Sequence, residues 1–91
     1  MGTPCTIAIR TGTRYTNIRV NFDGYPSAML PALANVTDAD VLDAQEIRSI
    51  SPKGVIEAYP DAQRPTVTFE PDRSESDYVY ARNGSGVFVL V

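Results

Sequence analysis

Ninety-one residues, 43% of them apolar, with five tyrosines, three phenylalanines and no tryptophan, suffice for one hydrophobic core and are too apolar for a disordered chain. A net charge of −3 argues against a protein that coats nucleic acid, and the absence of histidine removes the commonest general base and metal ligand. The single cysteine excludes an internal disulfide or a paired-thiolate zinc site. One domain over residues 1–91 is expected. The N-terminus has no basic start followed by an apolar run, and no apolar segment approaches the length of a membrane span, so a monomeric cytoplasmic protein with no membrane partner is the expectation.

In chain order, Thr6–Arg10 is a short β-type run, and the turn residues 11–14 predict a hairpin with a second strand over Tyr15–Phe22. There Ile18, Val20 and Phe22 alternate with Asn17, Arg19 and Asn21, one apolar face against one wet face. The exposed side is expected to carry Arg10, Arg14 and Arg19, three arginines being too few for a nucleic-acid footprint. The turn Asp23-Gly24-Tyr25-Pro26 then redirects the strand into a helix, with Gly24 free to take positive φ, Tyr25 packed beneath the turn and Pro26 opening the helix. Ser27–Ala34 reads as helical, with Met29, Leu30 and Leu33 toward the core and Pro31 placed in the first turn, where a missing N–H costs nothing.

Thr37 predicts the N-cap of a second helix, with Asp38 and Asp40 complementing the positive end of its dipole. Val41, Leu42 and Ala44 fall on one side of that helix, whereas Asp43 and Glu46 fall on the other with Asp40 at the edge, and the helix is expected to fade by Arg48 or Ser49. Ser51-Pro52-Lys53-Gly54 is loop chemistry. Val55–Tyr59, ended by Pro60-Asp61, and Thr66–Glu70, ended by Pro71-Asp72, read as strands; Tyr78–Arg82 and Val87–Val91 flank the hairpin signal Asn83-Gly84-Ser85-Gly86. The uniformly apolar last five residues predict a strand covered on both faces. The expected fold is therefore α+β, an antiparallel or mixed sheet in the order β-β-α-α-β-β-β-β with two helices on one face.

Catalytic signals are sparse. Lys53 lies in an exposed loop, Cys5 has no visible activating partner, and Asp72, Glu75 and Asp77 beside Arg73 match no calcium-loop spacing, so no catalytic, metal or cofactor site is assigned. Charge is more informative: residues 1–36 carry +2, residues 37–77 carry −6 and the remainder +1. The acidity lies in two groups, Asp40, Asp43 and Glu46 on the second helix and Glu70, Asp72, Glu75 and Asp77 in one loop. Such surfaces suit solubility, and also a basic protein partner.

The segment Ile18–Pro26 resembles the Y-V-x-x-D-G-Y-P stretch of a group of small proteins encoded by phages and prophages. The similarity continues in order, with Met29–Leu33 in that group's next helix, Ile47-Arg48-Ser49-Ile50 at its I-S-S-L, Asp72-Arg73-Ser74-Glu75 at its D-R-x-E and Asp77-Tyr78-Val79-Tyr80 at its D-Y-V-Y. Arg19 and Asn21 replace residues that are often aromatic or histidine in the group. The resemblance implies a mobile-element accessory protein, a class that includes anti-CRISPR inhibitors. On that basis the expected partner is a Cas subunit of a type I surveillance complex, met by the acidic residues as a mimic of target-DNA phosphates, with no direct nucleic-acid contact. A phage accessory or regulatory protein-binding module unrelated to CRISPR is the alternative that the resemblance leaves open.

Overall fold

A computed structural model describes residues 3–59 and 65–91 of the chain. The first hairpin forms as its pattern predicts: β1 (Cys5–Thr11) pairs antiparallel with β2 (Arg14–Val20), Cys5 opposite Val20 and Thr11 opposite Arg14. Two residues close it, and Gly12 at the first of them takes φ +67°, the positive-φ position for which tight hairpin loops select glycine. The pleat sends Cys5, Ile7, Ile9, Ile18 and Val20 to one face and Thr6, Ala8, Arg10, Tyr15, Asn17 and Arg19 to the other. By the same alternation Arg14 belongs to the first side, so the three hairpin arginines do not share a face. Arg14 instead stacks on Phe69, 4.5 Å from its ring centre.

The turn after β2 works differently from its sequence reading. Asp23, not Gly24, has positive φ (58°). Gly24 is required by proximity: a Cβ there would lie 2.6 Å from the Thr3 carbonyl oxygen and 2.7 Å from Cys5 Cβ. The Gly24 N–H donates to that carbonyl at 2.7 Å, and the Gly24 carbonyl accepts from the hydroxyl of Tyr80 at 2.7 Å. Tyr25 is 40% exposed, so the aromatic ring beneath the turn is Tyr80, which is fully buried. Phe22 is also turned outward, 39% exposed, with the Arg48 guanidinium 5.5 Å from its ring centre.

Pro26 opens α1 (Pro26–Leu33), as expected, while Pro31 falls in the second turn and not the first. The N–H that Pro31 lacks would have served Ser27, whose exposed position leaves its carbonyl to water. Met29, Ala32 and Leu33 are buried, whereas Leu30 is exposed. Thr37 caps α2 (Asp38–Ala44), its hydroxyl accepting from the Asp40 N–H at 3.2 Å. Val41 is buried, with Leu42 and Ala44 packed against the same core.

Helix α2 stops well before Arg48. Gln45 turns the chain at φ 62°, ψ −51°, and residues 46–50 form a strand absent from the sequence reading, β3 (Glu46–Ile50). Burial explains the override: as a strand the segment places Ile47 beside Val20 in a parallel pairing and buries Ile47 completely and Ile50 nearly so. Glu46 is accordingly a strand residue, off the acidic helix edge assigned to it.

Strands β4 (Ile56–Ala58), β5 (Thr66–Thr68), β6 (Tyr78–Arg82) and β7 (Phe88–Leu90) complete a seven-stranded mixed sheet in the order β4-β3-β2-β1-β6-β7. The pairings β1–β6 and β2–β3 are parallel, and β5 pairs with β2 beyond the short stretch taken by β3. Pro60-Asp61, read as the stop of one strand, lies outside the described residues. Both helices contribute to one core with Cys5, Ile7, Ile18, Val20, Ile47 and Tyr80, so they cover the same face of the sheet. The final apolar run is not covered on both faces: β7 is an edge strand in which Phe88 is buried, Val89 is half-buried and Leu90 is exposed, and Val87 and Val91 on either side of it are exposed too. Its hairpin with β6 is closed by Asn83, whose side-chain oxygen accepts from the N–H groups of Ser85 (2.9 Å) and Val87 (3.2 Å).

Candidate functional site

The sheet order dictates where the acidic loop lies. β5 sits on the outer edge of β2 and β6 on the far edge of β1, so residues 69–77 must cross both strands. They do so on the face away from the helices, as a strap over Asn17 and Thr6. Asn17, 5% exposed, donates to Thr68 Oγ1 at 2.9 Å and accepts from the Asp72 N–H at 3.1 Å. Thr6, 4% exposed, bonds Ser76 at 2.8 Å. These are the two buried polar side chains among the described residues, and both are satisfied by the strap. Asn17 was legible as a wet-face residue; its role as an anchor depends on a partner 55 positions away and has no local signal.

The strap sorts the acids. Asp72 accepts from the hydroxyl of Ser74 (2.6 Å), its N–H (2.9 Å) and the hydroxyl of Thr66, bonds that hold its carboxyl below the usual carboxylate range. Glu75 faces Arg19 at 4.0 Å, and Arg19 also donates to the side-chain oxygen of Asn21 at 2.7 Å. Glu46, half-buried at the start of β3, lines with Asp72, Glu75, Arg19 and the turn residue Gln45 a polar well of about 80 Å³. Sites for organic substrates run to roughly 300–1,000 Å³, so the well is on the scale of a few water molecules. Three of the seven acids assigned to partner binding therefore serve the strap and its well.

The others point outward. Asp40 and Asp43 are exposed one helical turn apart on α2, and Glu70 and Asp77 are exposed on the strap. No described cation lies within ion-pairing distance of any of these four, in contrast to Asp38, which Arg82 grips at 2.7 Å, and Glu57, which pairs with Arg48 at 3.5 Å. The structure does not join the two acidic groups: α2 covers one face of the sheet and the strap the other.

Cys5 is fully buried, and burial pushes its thiol from 9.0 up to about 12, which makes it a poor nucleophile. Burial likewise raises the Tyr80 hydroxyl, which stays protonated to donate to Gly24. Among the described residues no three of Asp, Glu and Cys converge closely enough to hold a metal ion, and no helix is long and apolar enough to cross a membrane. No family model, no curated protein and no solved structure matches the chain.

Proposed function

We propose that the chain is a protein-binding module that docks the outer face of α2 on a basic surface of its partner. The observation that carries this reading is the pair Asp40 and Asp43, exposed one turn apart on one helix face and unpaired among the described residues, while Asp38, Glu57, Asp72 and Glu75 bond to other parts of the chain. Two carboxylates i and i+3 on a helix are neighbours roughly 5–6 Å apart at Cβ, on a scaffold held by the Thr37 cap and by Val41 in the core. Taken with the phage-protein resemblance, the favoured partner is a Cas subunit of a type I surveillance complex, with the carboxylates standing where target-DNA phosphates would lie.

The test is binding to purified type I surveillance complexes, and DNA capture by them, with Asp40→Lys/Asp43→Lys reversed together. Glu46 is omitted because it is not on this face. Reversal of exposed charges acts mainly on association, with an expected loss on the order of tenfold, which raised salt should reproduce. Lys53→Glu, on the exposed loop between β3 and β4, is the matched control and should leave binding intact. Binding that ignores both reversal and salt would reject phosphate mimicry by α2. Failure to bind any such complex would move the module to a partner unrelated to CRISPR.

A further inference from the structure

The arginines among the described residues divide into two populations. Arg19, Arg48 and Arg82 each face a carboxylate, whereas Arg10, Arg14 and Arg73 form no ion pair among the described residues. All three unpaired arginines gather at the loop end of the β1–β2 hairpin, although Arg73 comes from the strap. Arg10, Tyr15, Phe69 and Arg73 line one groove of about 440 Å³ with Thr13, Glu70 and Pro71. Phe69 is 70% exposed, and the Arg14 guanidinium lies over its ring at 4.5 Å. Arg10 uses its Nε to reach the Gly12 carbonyl at 3.2 Å, which leaves its terminal nitrogens for another acceptor.

We propose that this groove binds a short stretch of single-stranded nucleic acid, with a base stacked on Phe69, whose ring Arg14 backs, and phosphates held by Arg10 and Arg73. The combination fits that ligand better than a folded acidic partner, because an exposed ring backed by a cation is a stacking platform for any base, and guanidiniums beside it match phosphate oxygens. The groove is open along residues that are mostly exposed, which suits an extended strand more than an enclosed small molecule. The hairpin alone offers Arg10 on this side, with Arg14 on the other; the strap supplies Arg73 and the stacking ring, a footprint for a short single strand and not for a duplex. Glu70 is the one carboxylate in the lining and opposes binding.

The experiment uses the whole chain, isotopically labelled, titrated with dT6 at 20 mM salt and followed by amide chemical shifts. Shifts should concentrate at residues 10–15 and 69–73. Contacts to about two phosphates predict a slope near −1.4 for log K against log salt. Phe69→Ala should weaken binding by roughly 5- to 150-fold, the measured range for one stacked base, with Phe69→Leu showing a similar loss while keeping an apolar side chain. Arg10→Gln and Arg73→Gln should each weaken it, and Glu70→Gln should strengthen it. All of these positions are exposed, and retained spectral dispersion verifies the fold of each variant. The proposal is overturned if dT6 causes no shifts, if shifts fall elsewhere, if Phe69→Ala and Phe69→Leu bind like the parent, or if hexaglutamate binds as tightly as dT6. The measurement involves no second protein, so its failure leaves the α2 interface untouched.

Discussion

Replacing Gly24 by alanine adds one methyl group at the tightest point of the fold. The new Cβ would lie 2.6 Å from the Thr3 carbonyl oxygen, 2.7 Å from Cys5 Cβ and 2.8 Å from Cys5 N, all inside van der Waals contact. Two of these are backbone atoms at the start of β1, which is held in register against β2 and β6, so the strand end and the turn must separate. Overpacking of this kind costs about 1–3 kcal/mol. Separation also strains the 2.7 Å bonds from Gly24 N–H to Thr3 and from the Tyr80 hydroxyl to the Gly24 carbonyl, and leaving a buried hydroxyl unmatched costs about 1–3 kcal/mol more. A total near 2–6 kcal/mol, at about 4–8 °C per kcal/mol for a domain of this size, places the melting midpoint of Gly24→Ala roughly 10–50 °C below the parent. Far-UV circular dichroism melts measure it. Gly12→Ala separates the two reasons a glycine can be needed, since its Cβ meets nothing within 4 Å while its φ is +67°; it should cost only about 1 kcal/mol. A Gly24→Ala midpoint within about 2 °C of the parent, or a larger loss from Gly12→Ala, would refute the close-approach argument.

The buried Cys5 thiol sets an alkaline limit. The unfolded chain releases this proton near pH 9.0 while the native state holds it to about 12, so the stability involved is complete below pH 9 and falls by about 1.4 kcal/mol per pH unit between the two values. Urea midpoints from pH 8 to 10, below the range in which the buried Tyr80 hydroxyl adds a decline of its own, should show the fall and Cys5→Ala should flatten it; equal slopes for the two proteins would show that the thiol is not the group responsible. Gln45, at φ 62° and ψ −51°, is a non-glycine residue in a conformation that costs about 1–3 kcal/mol, so Gln45→Gly should stabilise the fold by up to about 2 kcal/mol after the entropy penalty of glycine. A lower urea midpoint for that variant would mean that the Gln45 side chain contributes more at the polar well than its backbone strain removes.

Features set by neighbours in sequence were legible before the structure. The Thr37 cap, the Pro26 helix start, the first hairpin and the Asn83 turn all depend on residues within a few positions of one another. Strand β3 was not, because Glu46–Ile50 continues an amphipathic pattern from Val41 and becomes a strand through pairing with β4 on one side and with Val20, more than twenty residues away, on the other. The reading of Gly24 failed for a related reason. A glycine in a turn suggests positive φ, but here the constraint comes from Thr3 and Cys5 on another element. The C-terminal run was misjudged because composition records apolarity and not sheet position: β7 is last in the strand order, so three of the run's five apolar residues stay exposed. Of the candidate site, the acidic residues were visible in the sequence, whereas their division between fold and surface was not.

That division follows from one topological necessity. A chain that leaves the outer edge of β2 and must next run beside β1 has to cross the face opposite the helices, where it covers Asn17 and Thr6. Covered polar groups need partners, and the strap meets that need with Asp72 and Ser76, while Glu75 faces Arg19 at its margin. Those carboxylates are thereby drawn toward the fold, and the same crossing carries Phe69 and Arg73 to the hairpin loop, beside Arg10 and Arg14. One end of the molecule gains a ring and arginines that, among the described residues, have no ion-pair partner, while the helix face keeps Asp40 and Asp43 likewise unpaired among those residues. A net charge of −3 thus conceals two local groups of opposite sign, carboxylates on α2 and arginines at the loop end of the hairpin. Reversing charge on α2 and neutralising it at the hairpin should therefore have separable consequences, because α2 and the strap share no residue and lie on different faces.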